Sequence, residues 1–105
     1  MALTKDFKDT IKARADREPE FRRALFEGAI QCFIDGDIET GKAVFKDYIN
    51  ATIGFEELSK LIEKSPKSLH RMFSPTGNPR AENLFNIIST IQKREGFKLE
   101  VRFGG

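Results

Sequence analysis

Apolar residues recur at helical spacing along most of the chain, and turn residues separate the runs. Leu3, Phe7 and Ile11 fall at i, i+4 and i+8 behind Thr4, a possible cap, which predicts a short first helix. Asp16, Arg17, Glu18 and Pro19 end it, because proline disfavours helix at the residue before it and suits a first helical turn. A second helix is predicted from Pro19 to Ile34, with Phe21, Leu25, Phe26, Ala29, Ile30, Phe33 and Ile34 as a broad buried stripe. Gly36 can take positive φ in the turn Asp35, Gly36, Asp37. Asp37 then caps a third helix in which Ile38, Phe45, Tyr48, Ile49 and Thr52 share a face.

After Gly54 the runs shorten. Phe55, Leu58, Leu61 and Ile62 mark a fourth helix, and Glu63 and Lys64 form a tight connection. Ser65 is a good N-cap and Pro66 a good first helical residue, so a fifth helix is predicted over Pro66 to Phe73. Only Leu69, Met72 and Phe73 point inward from it. Residues 74–77 form a loop. Asn78 and Pro79 start a sixth helix that runs to Glu95, with Leu84, Phe85, Ile87, Ile88 and Ile91 as its core stripe.

The end of the chain has a different period. Phe97, Leu99, Val101 and Phe103 alternate with Lys98, Glu100 and Arg102, which predicts a short C-terminal β-strand. Within an all-helical chain that strand has no partner. It can pair with its twin across a dimer axis, add to another protein's sheet, or fray; the first two avoid exposing four large side chains. The expected fold class is all-α: a bundle of five to six helices with a terminal strand.

Composition changes this picture in one respect. Residues 1–59 carry nine Lys/Arg and twelve Asp/Glu, whereas residues 60–105 carry nine Lys/Arg and four Asp/Glu. Between residues 60 and 80, Lys60, Lys64, Lys67, Arg71 and Arg80 face Glu63 alone, which suggests a polyanion contact in the second half. Two short helices with a tight connection, flanked by longer helices, make a helix-turn-helix arrangement. A helix lying in the major groove can spare few residues for the core. Lys67, Ser68, His70 and Arg71 are then the outward candidates for base contacts, with side chains suited to base edges and phosphates. Lys60, Lys64, Ser65, Thr76, Asn78 and Arg80 are the candidates for DNA backbone contacts.

The run LSKLIEKSPKSLHRMFSPTGNPRAENLFNIISTIQ resembles the phage-repressor-like (Xre-type) helix-turn-helix of addiction-module antidote proteins, the HigA-like antitoxins. The likeness is carried by Ser65-Pro66-Lys67-Ser68-Leu69 with Arg71-Met72-Phe73, and by Gly77-Asn78-Pro79 followed by Asn83-Leu84-Phe85. It implies a usually dimeric transcriptional regulator of double-stranded operator DNA, often encoded beside a RelE-type toxin that it neutralises. The family usually has Ala where this chain has Ser59, and Gly at the turn where it has Glu63. A non-glycine residue at positive φ costs about 1 kcal/mol, so this turn is either slightly strained or differently shaped. Residues 1–36 are then an N-terminal helical extension, 37–96 the DNA-binding core, and 97–105 the strand and tail.

The other features are bland. His70 is the only histidine, so it makes neither a metal site nor, without a nearby nucleophile, a catalytic base. It is a groove-facing donor or a solvated side chain. Cys32, among Ala29, Ile30 and Phe33, reads as a small buried hydrophobe. With one Cys, no apolar leader and no membrane-length run, a soluble cytoplasmic protein is expected. No nucleophile–base pair, carboxylate dyad or phosphate loop is visible, so neither an enzyme nor a cofactor is expected. The competing readings are a protein-binding antitoxin with weak DNA contact and a helical adaptor.

Overall fold

In the computed structural model, which describes residues 5–104 and side chains from Thr10 onward, every regular element is a helix. The helices are α1 (Lys5–Arg17), α2 (Pro19–Ile34), α3 (Ile38–Ala51), α4 (Phe55–Ile62), α5 (Pro66–Met72) and α6 (Ala81–Glu95). The Thr4 cap and the side chains of Leu3 and Phe7 lie outside the described residues. Glu18 separates α1 from α2 with extended backbone, and Pro19 takes the first helical position, as the steric rule for proline requires. Across that corner the Arg14 guanidinium lies 4.2 Å from the centre of the Phe21 ring.

α2 and α3 form the most extensive helix pair, with α1 packed on both. Their close approach centres on Gly41, where a methyl group would come within 2.7 Å of the Phe33 ring. Gly36 takes φ +85° in the turn between them, and the Asp37 carboxylate accepts from the Thr40 amide at 3.3 Å to start α3. The core is rich in phenylalanine: Phe26 sits 5.8 Å from Phe45 and 5.3 Å from Tyr48, and Phe73 stacks on Phe45 at 5.5 Å. Leu58, Leu69, Ile87 and Ile91 complete the same cluster. The core is therefore continuous across residue 36, and α2 contributes Phe26 and Ala29 to it. A half-buried ion pair, Arg22 Nε to Glu95 Oε2 at 3.3 Å, joins α2 to α6.

Several expected core positions are instead on the surface. Phe85 is 67% exposed and Leu61 50%. On α6 the buried face is set by Ile87, Ile88 and Ile91, and at about 100° per residue Phe85 falls roughly a third of a turn away. Leu61 is displaced from the α4 face of Phe55, Leu58 and Ile62 by the same geometry. Ile34 and Ile38 flank the turn between α2 and α3 and are also exposed. Thr52 is a half-buried C-cap whose hydroxyl donates to the Tyr48 carbonyl at 2.7 Å. Cys32 is half-buried rather than sealed in the core.

The tail also differs from expectation. No strand forms among the described residues, because residues 97–104 have no neighbouring strand in a single chain to complete a ladder. Phe97 nevertheless packs on Phe26 with ring centres 5.2 Å apart, and Leu99 packs against the core. Val101 (85% exposed) and Phe103 project from the fold. No described helix is long and apolar enough to cross a membrane.

Candidate nucleic-acid interface

The turn between α4 and α5 is built from three residues with separate tasks. Glu63 ends α4 in the left-handed region, at φ 56° and ψ 41°. It is the only non-glycine residue with positive φ among the described residues. A left-handed position of this kind favours glycine, and it is held here by a residue with a Cβ. Ser65 caps α5: its hydroxyl accepts from the Ser68 amide at 3.1 Å. Pro66 then supplies the first helical φ without an orphan N–H.

α5 is anchored by few side chains. Leu69 is fully buried and Phe73, its C-cap, is buried; Met72 is half-buried. Burying side chains of this size contributes about 1.5–3 kcal/mol each, enough to seat a helix of seven residues that could not hold its shape alone. The opposite face carries Lys67, His70 and Arg71, all exposed, with Ser68 half-buried. His70 does not reach freely into solvent. Its ring stacks on Phe55 of α4, with centres 4.2 Å apart and planes 22° apart.

A cleft of about 420 Å³ opens where α5, the loop and the start of α6 meet. It is lined by Ser68, Arg71, Thr76, Asn78 and Arg80, together with Asn83 on the first turn of α6. These expected contacts are thus brought together from three segments. Lys60, Lys64, Ser65, Lys67 and His70 lie outside the cleft and are exposed on α4, the turn and α5. Among the described residues no ion pair involves Lys60, Lys64, Lys67, Arg71 or Arg80. Their charge is uncompensated by a bound carboxylate. α6 begins at Ala81, later than the Asn78–Pro79 start expected for it, with Arg80 in the N-cap position. The extra residues lengthen the loop that forms one wall of the cleft.

That loop is held by a residue the sequence reading did not single out. Lys42, on α3, is 2% exposed. Its ammonium donates to the carbonyl oxygens of Ser74 at 3.0 Å and Gly77 at 2.7 Å, and pairs with the Glu39 carboxylate at 3.1 Å. A buried ammonium needs such partners, since an unpaired one is strongly disfavoured. The loop closes further on Ser74, whose hydroxyl donates to the Arg71 carbonyl at 2.8 Å and accepts from the Gly77 amide at 3.1 Å. Gly77 runs so close to Arg71 that a methyl group there would overlap the Arg71 carbonyl oxygen. A signal for Lys42 was present: it lies four residues after Ile38 and three before Phe45, on the apolar stripe of α3. Asn83 stood in the motif that carries the family resemblance, but was not among the expected contacts.

The chain matches no family model, no curated protein and no solved structure.

Proposed function

We propose that the protein is a sequence-specific regulator of double-stranded DNA, with α4 and α5 as a phage-repressor-like helix-turn-helix and α5 as its reading helix. What carries this reading is the division of α5. Leu69 and Phe73 fasten it from one side, while Lys67 and Arg71 stand exposed and without ion-pair partners on the other. Arg71 also shares a cleft with Arg80, Thr76 and Asn78, a donor set suited to phosphate beside a guanidinium free for a guanine edge. Lys60 and Lys64 extend the basic surface toward α4.

On this reading phosphate contacts from Lys60, Lys64, Ser65, Thr76, Asn78 and Arg80 set the register, and Lys67, Ser68, His70 and Arg71 face the bases. The stack of His70 on Phe55 restricts the imidazole, so Lys67, Ser68 and Arg71 carry most of the discrimination. Two copies reading two half-sites would supply the specificity that one short helix lacks. Repression follows from occlusion of the promoter. The resemblance to addiction-module antidotes makes the chain's own operon the first target and a RelE-type toxin the natural second partner. The deciding experiment is footprinting of DNA immediately upstream of its own gene at two salt concentrations. A protected site that weakens steeply with salt supports the reading; binding to no DNA at low salt overturns it.

A second reading has a specific observation behind it. Val101 and Phe103 are apolar and exposed in the tail, which favours a protein partner there. A protein-binding antitoxin or helical adaptor would use that surface and show no salt-dependent shift with DNA.

A further inference from the structure

Among the described residues of the tail after Gly96, only the Leu99 amide has a hydrogen-bond partner. The Leu99 amide donates to the Gln92 side chain of α6, and Phe97 packs on Phe26. In extended backbone, successive N–H groups point to opposite edges. In an extended tail the amides of Lys98, Glu100 and Arg102 would face away from the edge that Gln92 holds. Among the described residues none of them has a backbone partner. Beside the tail lies a groove of about 740 Å³ against α2, with Arg23, Glu27, Ile30 and Ile34 on its helical wall and Leu99, Glu100 and Arg102 on the other. Ile34 is 68% exposed.

The sequence of the tail says what can fill that edge. Laid antiparallel to itself with Val101 opposite Val101, it sets Leu99 opposite Phe103 and Glu100 opposite Arg102, twice over. Leu99, Val101 and Phe103 each meet an apolar side chain and Glu100 meets Arg102, while Phe97 and Lys98 fall opposite the terminal glycines. Centring the pair on Glu100 sets Glu100 against itself and Lys98 against Arg102. Centring it on Leu99 sets Lys98 against Glu100 and Phe97 against Val101, but leaves Phe103 beyond the ladder, opposite Glu95, which is inside α6 and bound to Arg22. A parallel pair in register stacks like charges on one another. The engaged Leu99 amide agrees with the same register. It makes the odd residues the non-hydrogen-bonded pairs, leaving Glu100 and Arg102 to exchange both backbone bonds.

We infer that the tail is a dimerisation strand whose occupant is a second copy of this chain, paired antiparallel about Val101 through Glu100–Arg102 cross-strand ion pairs. The inference deepens the dimer in the proposed function, and its test uses no DNA, so failure here leaves the DNA reading to be judged separately. A two-stranded ribbon alone is marginal in water. Here Phe97 and Leu99 fix it to the core, and the incoming Phe103 covers Leu99 at the groove.

The experiment is mass determination by light scattering on the full chain and two charge variants. Wild type is expected as a dimer. Glu100→Arg and Arg102→Glu, both at exposed positions, should each be monomeric at the same concentration with unchanged helical circular dichroism. Mixed in equal amounts, the two variants should recover a heterodimer, because every cross-strand pair is then again acid against base. The Arg102→Glu variant separates this register from the one centred on Leu99, which Arg102 does not enter. A wild-type monomer, an Arg102→Glu dimer, or two variants that stay apart on mixing would overturn the inference.

Discussion

The ammonium of Lys42 donates to the carbonyl oxygen of Gly77 at 2.7 Å, tying the third helix to the loop that follows α5. Lys42→Met keeps the aliphatic length and removes the donor. The Ser74 and Gly77 carbonyls then lose a partner, which costs about 1–3 kcal/mol for buried acceptors. Urea unfolding should show that loss. If the proposed DNA-binding role holds, operator affinity should fall as well, because the loop carries Thr76, Asn78 and Arg80. Unchanged stability would mean that the loop is held by Ser74 alone.

Gly77 and Gly41 are both close-packed, but against different things. A methyl group at Gly77 meets backbone, the Arg71 carbonyl, which can move only if the end of α5 moves. At Gly41 it meets the edge of the Phe33 ring, which can turn. Gly77→Ala should therefore cost about 2–3 kcal/mol and Gly41→Ala about 1 kcal/mol on the scale of overpacked sites. Denaturation midpoints of the two variants provide the comparison. The reverse order would show that the loop is softer than the helix pair.

Glu63→Gly should stabilise the protein. The left-handed conformation at Glu63 costs about 1 kcal/mol relative to glycine, partly offset by the greater freedom of glycine in the unfolded chain. A net gain of roughly 0.5 kcal/mol is expected by thermal or urea denaturation. A loss would assign Glu63 a contact beyond its backbone.

Arg71→Ala separates function from stability. The side chain is exposed and without an ion-pair partner, so unfolding should be unaffected. On the proposed DNA-binding role, operator affinity should fall by ~1–3 kcal/mol with relaxed base preference. Lys60→Ala and Lys64→Ala should instead weaken all sequences alike and reduce the slope of log affinity against log salt by about one per contact. Titrations at several salt concentrations distinguish the two patterns.

Tyr48 is fully buried and its hydroxyl has no hydrogen-bond partner. Burial pushes the phenol well above its usual value, and the nearby Glu95 carboxylate, though not hydrogen-bonded to it, adds to the rise. The unfolded chain loses this proton near the ordinary tyrosine value of about 10, while the folded chain keeps it. Stability is therefore intact below about pH 10 and declines above it as the unfolded state ionises. Tyr48→Phe should be neutral or stabilising by up to about 1 kcal/mol at neutral pH. Unfolding should also show a shallower alkaline decline than in wild type.

The local order of this protein was written in its sequence. Apolar spacing and the Pro19, Asp37 and Ser65–Pro66 punctuation marked the helices, because capping and proline sterics act within a few residues. The split face of α5 was legible for the same reason: Leu69 falls inward by periodicity and Lys67 and Arg71 fall outward. What local pattern could not decide is which apolar residue has a neighbour to bury it. Phe85 and Leu61 look like core residues and are not, since each lies beyond the arc that its helix presents to the bundle. Lys42 falls on the apolar stripe of α3 by spacing, but only the fold brings to it the carbonyls, more than thirty residues away, that let its ammonium be buried. The alternation of the tail specified a strand, yet within one chain it forms none. A strand needs a partner at its edge, and within the fold the Leu99 amide finds only the Gln92 side chain.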